Sequence, residues 1–372
     1  MTNDPIPFVD LKAQYQALKP ELDAAMQAVI DEGAFIRGRF VNAFEAQYAE
    51  AYGVKHCIST ANGTDALYIV MKMLGIGPGD EVITTANSWI ASSETVTQTG
   101  ARVVFVDVEE HFYNLDANKV EAAITPRTKA VIAVHLLGQP AQIDVLKRIC
   151  DTHKLHLIED CAQAHFAELD GQRVGTFGIA ATFSFYPGKN LGAYGDAGAI
   201  ITNDDALADQ CRSYARHGAS TKDKHDHIME GINSRLDGLQ AAILSVKLPH
   251  VRDWNNKRAE AAARYDELLK DAPNVIEVPQ VRPGATHIYH VYCVRVKDRD
   301  AANARLNAAG IGTSVHYPIP LPFLKAYRYL EHEPSDFPLA WRNHTEILSL
   351  PIFPEITPEQ QQRVVELLRG AH

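Results

Sequence analysis

The sequence predicts an α/β fold, with a large domain on a mostly parallel sheet flanked by helices and a smaller C-terminal α/β domain behind it. Three observations carry this. From Val54 onward, short apolar stretches rich in β-branched residues alternate with helical patterns, and strands apolar on both faces belong to parallel sheets covered by helices. At 372 residues the chain is too long for one ordinary core. A long helical pattern from Leu236 to Ala272, interrupted by Pro249, has the form of a connector that proline should kink or break. The boundary is placed near 245–250, giving domains 1–247 and 248–372.

Taken in order, Lys19-Pro20-Glu21 reads as a helix start, continued by Leu22, Met26, Val29 and Ile30 at helical spacing and broken by Gly33 to Gly38. A second helix is expected from Val41 to Ala51. The rhythm then changes. Strands are predicted at 54–59, 81–85, 102–106, 129–135 and 155–159, with helices at 65–74, 90–99, 116–124 and 143–153 between them. Ala181 to Phe185 and Ala199 to Thr202 are further strands. In the C-terminal part, strands are expected at 288–296 and 312–317, with helices at 301–309 and 358–369.

Composition narrows the function. Hydrophobic residues make up 46% and charged residues 22% of the chain, as in ordinary globular proteins. Five scattered cysteines without CxxC spacing argue for a reduced compartment and against structural zinc. A formal charge of −10 argues against a general nucleic-acid binder, though it leaves room for an anionic substrate. No basic n-region with an apolar core and no 18-residue apolar run is present, so a cytoplasmic location is expected. His225-Asp226-His227 sits beside Lys222 and Lys224 and reads as a solvated loop, so no metal site is assigned.

Ligands in parallel sheets bind beyond the carboxyl ends of the strands, and that is where the informative residues fall. Asn62-Gly63-Thr64-Asp65 opens a helix after a strand. Its free N–H groups and the Thr64 hydroxyl suit a phosphate, although an ordinary N-cap would read the same way. Trp89 follows another strand and offers a flat face, or a core packing residue. Asp160 follows the strand LHLIE; buried there, it needs a positive partner, either a protein cation or a pyridinium nitrogen. Ser184 can supply another hydroxyl. Lys189 follows Tyr186-Pro187-Gly188 at the end of a buried strand, among glycines, where a Schiff-base lysine would be placed. Phosphate donors, an aromatic face, a ring acid and a lysine together specify pyridoxal 5'-phosphate, and neither GxGxxG nor GxxxxGK[ST] is present.

The same residues resemble a known family, the pyridoxal-phosphate-dependent nucleotide-sugar aminotransferases of the DegT/DnrJ/StrS type, within the aspartate aminotransferase fold. The matching segments run in order through FVDL (8–11), NGTDAL (62–67), VHLLGQP (134–140), EDCAQAH (159–165), SFYPGKNLG (184–192), GINSRLD (231–237) and HYP (316–318). The resemblance implies a seven-stranded sheet of fold type I. It implies that Lys189 holds the cofactor aldehyde and then moves the proton, and that Asp160 pairs with the ring nitrogen. Gln163 would contact the ring hydroxyl and Trp89 would stack on the ring, with Gly63, Thr64 and Ser184 on the phosphate. Asn233 would reach the phosphate of a neighbouring subunit's cofactor, which implies a homodimer with shared sites. Tyr186, His316 and Tyr317 would line the sugar site.

The expected reaction is amino transfer from L-glutamate, through pyridoxamine phosphate, to a keto group of a dTDP- or UDP-linked hexose. NGTDAL at the phosphate seat is more similar to the 3-keto class than to the 4-keto class. Sugar dehydration on the same cofactor and a non-catalytic regulatory protein are the alternatives; the presence of Lys189 speaks against the first. Two departures from the family pattern, Phe166 in place of glycine and Pro322 in place of a histidine, bear on substrate fit.

Overall fold

The computed structural model describes residues 4–370 apart from residue 221. Helix α1 (Leu11–Glu32) is capped by Asp10, whose carboxylate accepts from the Ala13 amide at 2.8 Å, and it ends on Gly33 in the left-handed conformation. It therefore starts well before Lys19-Pro20. Proline inside a helix removes one ladder bond, but the ring of Pro20 faces solvent while Leu18, Leu22 and Val29 bury the opposite face on both sides of it. Helix α2 (Arg39–Tyr52) follows.

The alternating region folds as β1 (His56–Thr60), α3 (Gly63–Met73), β2 (Glu81–Thr85), α4 (Ala91–Gln98), β3 (Arg102–Val106), α5 (Ala117–Ala123), β4 (Thr128–Val134), α6 (Ile143–His153) and β5 (His156–Asp160). A short ribbon, β6 (Glu168–Leu169) and β7 (Gln172–Arg173), leads into β8 (Ala180–Ser184), β9 (Gly198–Thr202) and α7 (Asp205–Tyr214). Seven of these strands form one sheet in the order β1-β9-β8-β5-β4-β2-β3. Strand β9 runs antiparallel to both its neighbours, and the remaining pairs are parallel. Val82, Val103, Ile132 and Ile158 pack on one side of the sheet; Ile83, Val131, Ala133 and Leu157 belong to a separate cluster on the other. Burial on both faces is why these strands read as continuous apolar runs.

The long helical pattern is two helices. Helix α8 (Gly238–Lys247) gives way to a 3-10 turn, Leu248–His250, and α9 (Val251–Leu269) continues beyond it, so the break falls at Pro249, as its missing N–H requires. The remaining elements are β10 (Val275–Glu277), β11 (Ala285–Thr286), β12 (Tyr292–Val296), α10 (Arg299–Ala308), α11 (Pro338–Glu346), β13 (Ile347–Leu350) and α12 (Pro358–Arg369). β10, β12 and β13 form a small antiparallel sheet, while β11 joins β6 and β7. Tyr265, Tyr292, Val294, Leu306, Leu348 and Val364 share a core on this sheet, and Ile6 from the chain's start packs into it beside Ile311.

Two expected strands are not formed as such. Residues 288–291 do not continue β12 backward; the Ile288 amide donates to Gly138 O at 2.9 Å and the Val291 amide to Leu137 O at 3.2 Å. The segment is thus drawn across the end of β4. Residues 312–317 meet β13 only at Ser314–Ser349, after which His316 turns to bond the Ser349 hydroxyl at 2.9 Å.

Phe166 has φ +65°, the left-handed region that favours glycine. Its ring lies against Tyr52, centroids 4.6 Å apart, and its amide donates to the Tyr52 hydroxyl at 2.8 Å. Truncating a buried phenylalanine costs roughly 3–5 kcal/mol, and relieving the left-handed strain by removing its Cβ returns only about 1–2 kcal/mol. Phe166→Gly should therefore lower the thermal midpoint by several degrees and leave substrate KM values unchanged. An unaltered midpoint, or a shifted KM, would contradict this placement.

Candidate active site

The ends of β1, β2, β5 and β8 open into one cavity of about 540 Å³. Ten expected residues line it: Gly63, Thr64, Trp89, Asp160, Gln163, Ser184, Tyr186, Lys189, His316 and Tyr317. Asn233 does not. It is exposed, on the stretch before α8, and is not among the residues that line this chain's own cavity.

The floor is built where α3 starts. The Asn62 side chain accepts from the Asp65 amide at 2.8 Å, which leaves earlier N–H groups free at the positive end of the helix. This helix end is pressed against the neighbouring strands. A Cβ on Gly63 would stand 2.9 Å from Ser184 Cβ, and one on Gly198 would stand 2.3 Å from the Asn62 carbonyl carbon, so only glycine permits the approach. The Ser184 oxygen accepts from the Tyr186 amide at 3.3 Å, leaving its proton available to the cavity. Ser234 accepts from the Ala61 amide at 3.0 Å and donates to Asp65 at 2.6 Å, which ties the segment carrying Asn233 to this seat.

At the end of β5, Asp160 is 5% exposed. It accepts from the Ser92 hydroxyl at 2.8 Å and from the Ala162 amide at 3.1 Å, yet among the described residues no cation pairs with it. Ser92 in turn accepts from Ser88 at 2.9 Å, because its one proton goes to Asp160. Gln163 is held by the Leu137 amide, which donates to its Oε1 at 2.7 Å, while its Nε2 donates to the Tyr317 hydroxyl at 2.9 Å. Trp89 is 59% exposed, its ring centroid 5.9 Å from that of Tyr317.

Lys189 follows β8 in a tight turn, its amide donating to Tyr186 O at 2.8 Å. Desolvation pushes its amine down to about 8, against the Asp160 carboxylate, which pulls it up. His316 is pushed down to about 4, by burial first and then by Lys189. Phe8 stacks on His316 at 5.7 Å.

The sequence reading passed over Ser88, Ser92 and His290, all of which line the cavity. Ser92 sits one helical turn past the strand-end turn and carried no strand-end signal. His290 lies in the segment misread as strand. Phe166 and Pro322, the two departures expected to affect substrate fit, are buried outside the cavity.

These groups fit a phosphorylated pyridine aldehyde: a buried acid lacking a cation, hydroxyls at a helix N-terminus, an open aromatic face and a lysine amine pushed down by desolvation. Such a set on such a sheet defines a pyridoxal-phosphate-dependent enzyme. The comparisons agree. Residues 16–369 match the model of the DegT/DnrJ/EryC1/StrS aminotransferase family, and the chain belongs to that family. It is 42% identical over 364 residues to the dTDP-3-amino-3,4,6-trideoxy-alpha-D-glucose transaminase of Streptomyces venezuelae, covering 98% of this chain and 95% of that one. It is 44% identical to the UDP-2-acetamido-2-deoxy-3-oxo-D-glucuronate aminotransferase of Pseudomonas aeruginosa, covering 94% and 95%. A Geobacillus stearothermophilus relative, 45% identical over 97% of each chain, is named a pleiotropic regulatory protein. Among solved structures, S. venezuelae DesV in complex with a ketimine intermediate superimposes with a TM-score of 0.95, at 41% identity over 98% of each chain. The cofactor is pyridoxal 5'-phosphate.

Acylation of the apoprotein by limiting acetic anhydride follows the neutral fraction of each amine. For Lys189 the midpoint should fall near pH 8, below the ordinary lysine range, and Asp160→Asn, which removes the anion favouring the charged form, should lower it further. Mass spectrometry of the Lys189 peptide reads this directly. A midpoint in the ordinary lysine range would contradict the buried placement.

Proposed function

We propose that this aminotransferase moves the amino group of L-glutamate to the C-3 keto group of a dTDP- or UDP-linked hexose in amino-sugar biosynthesis. The Asp160 carboxylate, without a cation among the described residues, and a Lys189 amine pushed down by desolvation support the chemistry. The activities for which the S. venezuelae and P. aeruginosa relatives are named, both at C-3, support the sugar class.

In this reading Gly63, Thr64 and Ser184 hold the phosphate, Trp89 covers the ring, Gln163 meets the ring hydroxyl, and Asp160 keeps the ring nitrogen protonated. When bound, pyridoxal phosphate supplies an electron sink that stabilises negative charge at the carbon being deprotonated. Lys189 would hold the cofactor aldehyde and, once displaced, its neutral Nζ would take the proton from the α-carbon of glutamate and return it at the cofactor's former aldehyde carbon, across the intervening nitrogen. Desolvation favours that role because it disfavours the ammonium form. Tyr186, His316 and Tyr317 flank the sugar. Asn233, outside its own cavity, serves the cofactor phosphate of a second copy in a homodimer. We place the division between the domains at Pro249, giving 1–247 and 248–372. We also place the enzyme in the cytoplasm; no described helix is long and apolar enough to cross a membrane.

The name of the Geobacillus relative favours a regulatory reading as the second possibility; a cofactor site this complete argues for turnover. Holoenzyme treated with glutamate should lose its long-wavelength cofactor absorbance and release 2-oxoglutarate stoichiometrically. After removal of glutamate, a 3-keto nucleotide sugar should restore the absorbance. Restoration by a 4-keto sugar alone would move the reaction to C-4, and no response to glutamate would favour the regulatory reading.

A further inference from the structure

His290 lines the cavity beside Lys189, and the chain of hydrogen bonds behind it assigns its protons. The order begins at a carbonyl, which can only accept. Asn255 Nδ2 donates to His165 O at 3.0 Å, so Asn255 Oδ1 is an acceptor. Asn190 Nδ2 donates to that Oδ1 at 2.8 Å and to the carbonyl of Ile288 at 3.2 Å. The Ile288 carbonyl leaves no freedom to flip the Asn190 amide. Asn190 Oδ1 must therefore accept, and the group facing it at 3.0 Å is His290 Nδ1, which must carry a hydrogen. Burial and the nearby Lys189 hold the ring neutral. The remaining nitrogen, Nε2, then has a lone pair, no hydrogen, and no partner among the described residues. His316 has no such fixed polarity, since its partner Ser349 can donate or accept.

We propose that His290 Nε2 is an obligate hydrogen-bond acceptor that positions the keto sugar by taking a hydrogen bond from one of its hydroxyls. This rests on the reading of the protein as a sugar aminotransferase. The two substrates differ in what they ask of such a group. The carboxylates of glutamate only accept, so a fixed lone pair gives them nothing. Sugar hydroxyls can donate, and an acceptor locked by two side-chain amides in series cannot turn into a donor to suit another ligand. His290 thereby favours the sugar over the amino acid in a cavity that must admit both in turn.

The test separates the two half-reactions in single turnover on holoenzyme of wild type, His290→Phe and His290→Gln, with thermal midpoint and cofactor affinity measured on each. His290→Phe should slow the sugar half-reaction roughly 10- to 100-fold, the expected cost of an unmade hydrogen bond to a buried group, and leave the glutamate half-reaction within about threefold. His290→Gln, which retains an acceptor, should recover part of the loss. Among keto-sugar analogues each lacking one hydroxyl, one should react as slowly with wild type as the full sugar does with His290→Phe, and lose nothing more in the variant. Equal slowing of both half-reactions would overturn the proposal, because it would make His290 a structural residue or a partner of Lys189. So would an unaffected sugar half-reaction, or additive losses with every analogue. Should wild type fail with glutamate and with every keto sugar, it is the sugar aminotransferase reading that falls, and this inference with it.

Discussion

Two neighbouring carboxylates at the end of β5 set the terms for the rest of the molecule. Successive side chains on a strand point to opposite faces, and Glu159 and Asp160 are both buried. Glu159 is saturated by the protein. It accepts from the amides of Gly175 at 2.6 Å, Phe177 at 2.8 Å and Gly178 at 2.7 Å, and bonds His135 at 3.1 Å. The His135 tautomer is set by the Ala141 amide, which donates to Nδ1 at 3.0 Å, so Nε2 is the nitrogen that donates to Glu159. Asp160 has only a hydroxyl and one amide. A buried carboxylate without a cation costs several kcal/mol; Glu159 clamps the strand end from behind, and the proposed pairing with the cofactor's ring nitrogen would supply the charge that Asp160 lacks.

Much of this was legible because binding chemistry in a parallel sheet gathers at strand ends. Asp160, Lys189, Trp89 and the Gly63-Thr64 seat could be picked out as residues directly following apolar runs, and the cavity collects all of them. The apolar runs were themselves clear, since both faces of the sheet are covered. His290 was hidden for the opposite reason. Its segment, HIYHVY, has the composition of a strand, but its amides are taken by Leu137 and Gly138, a long-range pairing that local pattern cannot reveal. Pro20 has the local form of a helix initiator, but α1 starts earlier because the Asp10 side chain caps it.

Departures from a family pattern need a location before they carry meaning. Phe166 stands at a position whose left-handed backbone explains a family preference for glycine, and here the strain is offset by stacking on Tyr52. The ring serves the packing between α2 and the sheet, with no part in the cavity. Asn233 illustrates the reverse case. It is the one expected ligand residue that its own chain does not bring to the cavity.

The central claim is that Lys189 carries the cofactor. Among the described residues one further lysine has an amine displaced in the same direction: the buried Lys247, pushed down to about 8 by desolvation, bonded to Gly192 O at 2.8 Å and lying 4.2 Å over the Tyr194 ring, outside the cavity. Borohydride reduction of the holoenzyme followed by peptide mass mapping distinguishes them. The account predicts the cofactor mass on the peptide containing Lys189 and nowhere else; label on Lys247, or a cofactor released unreduced, would contradict it.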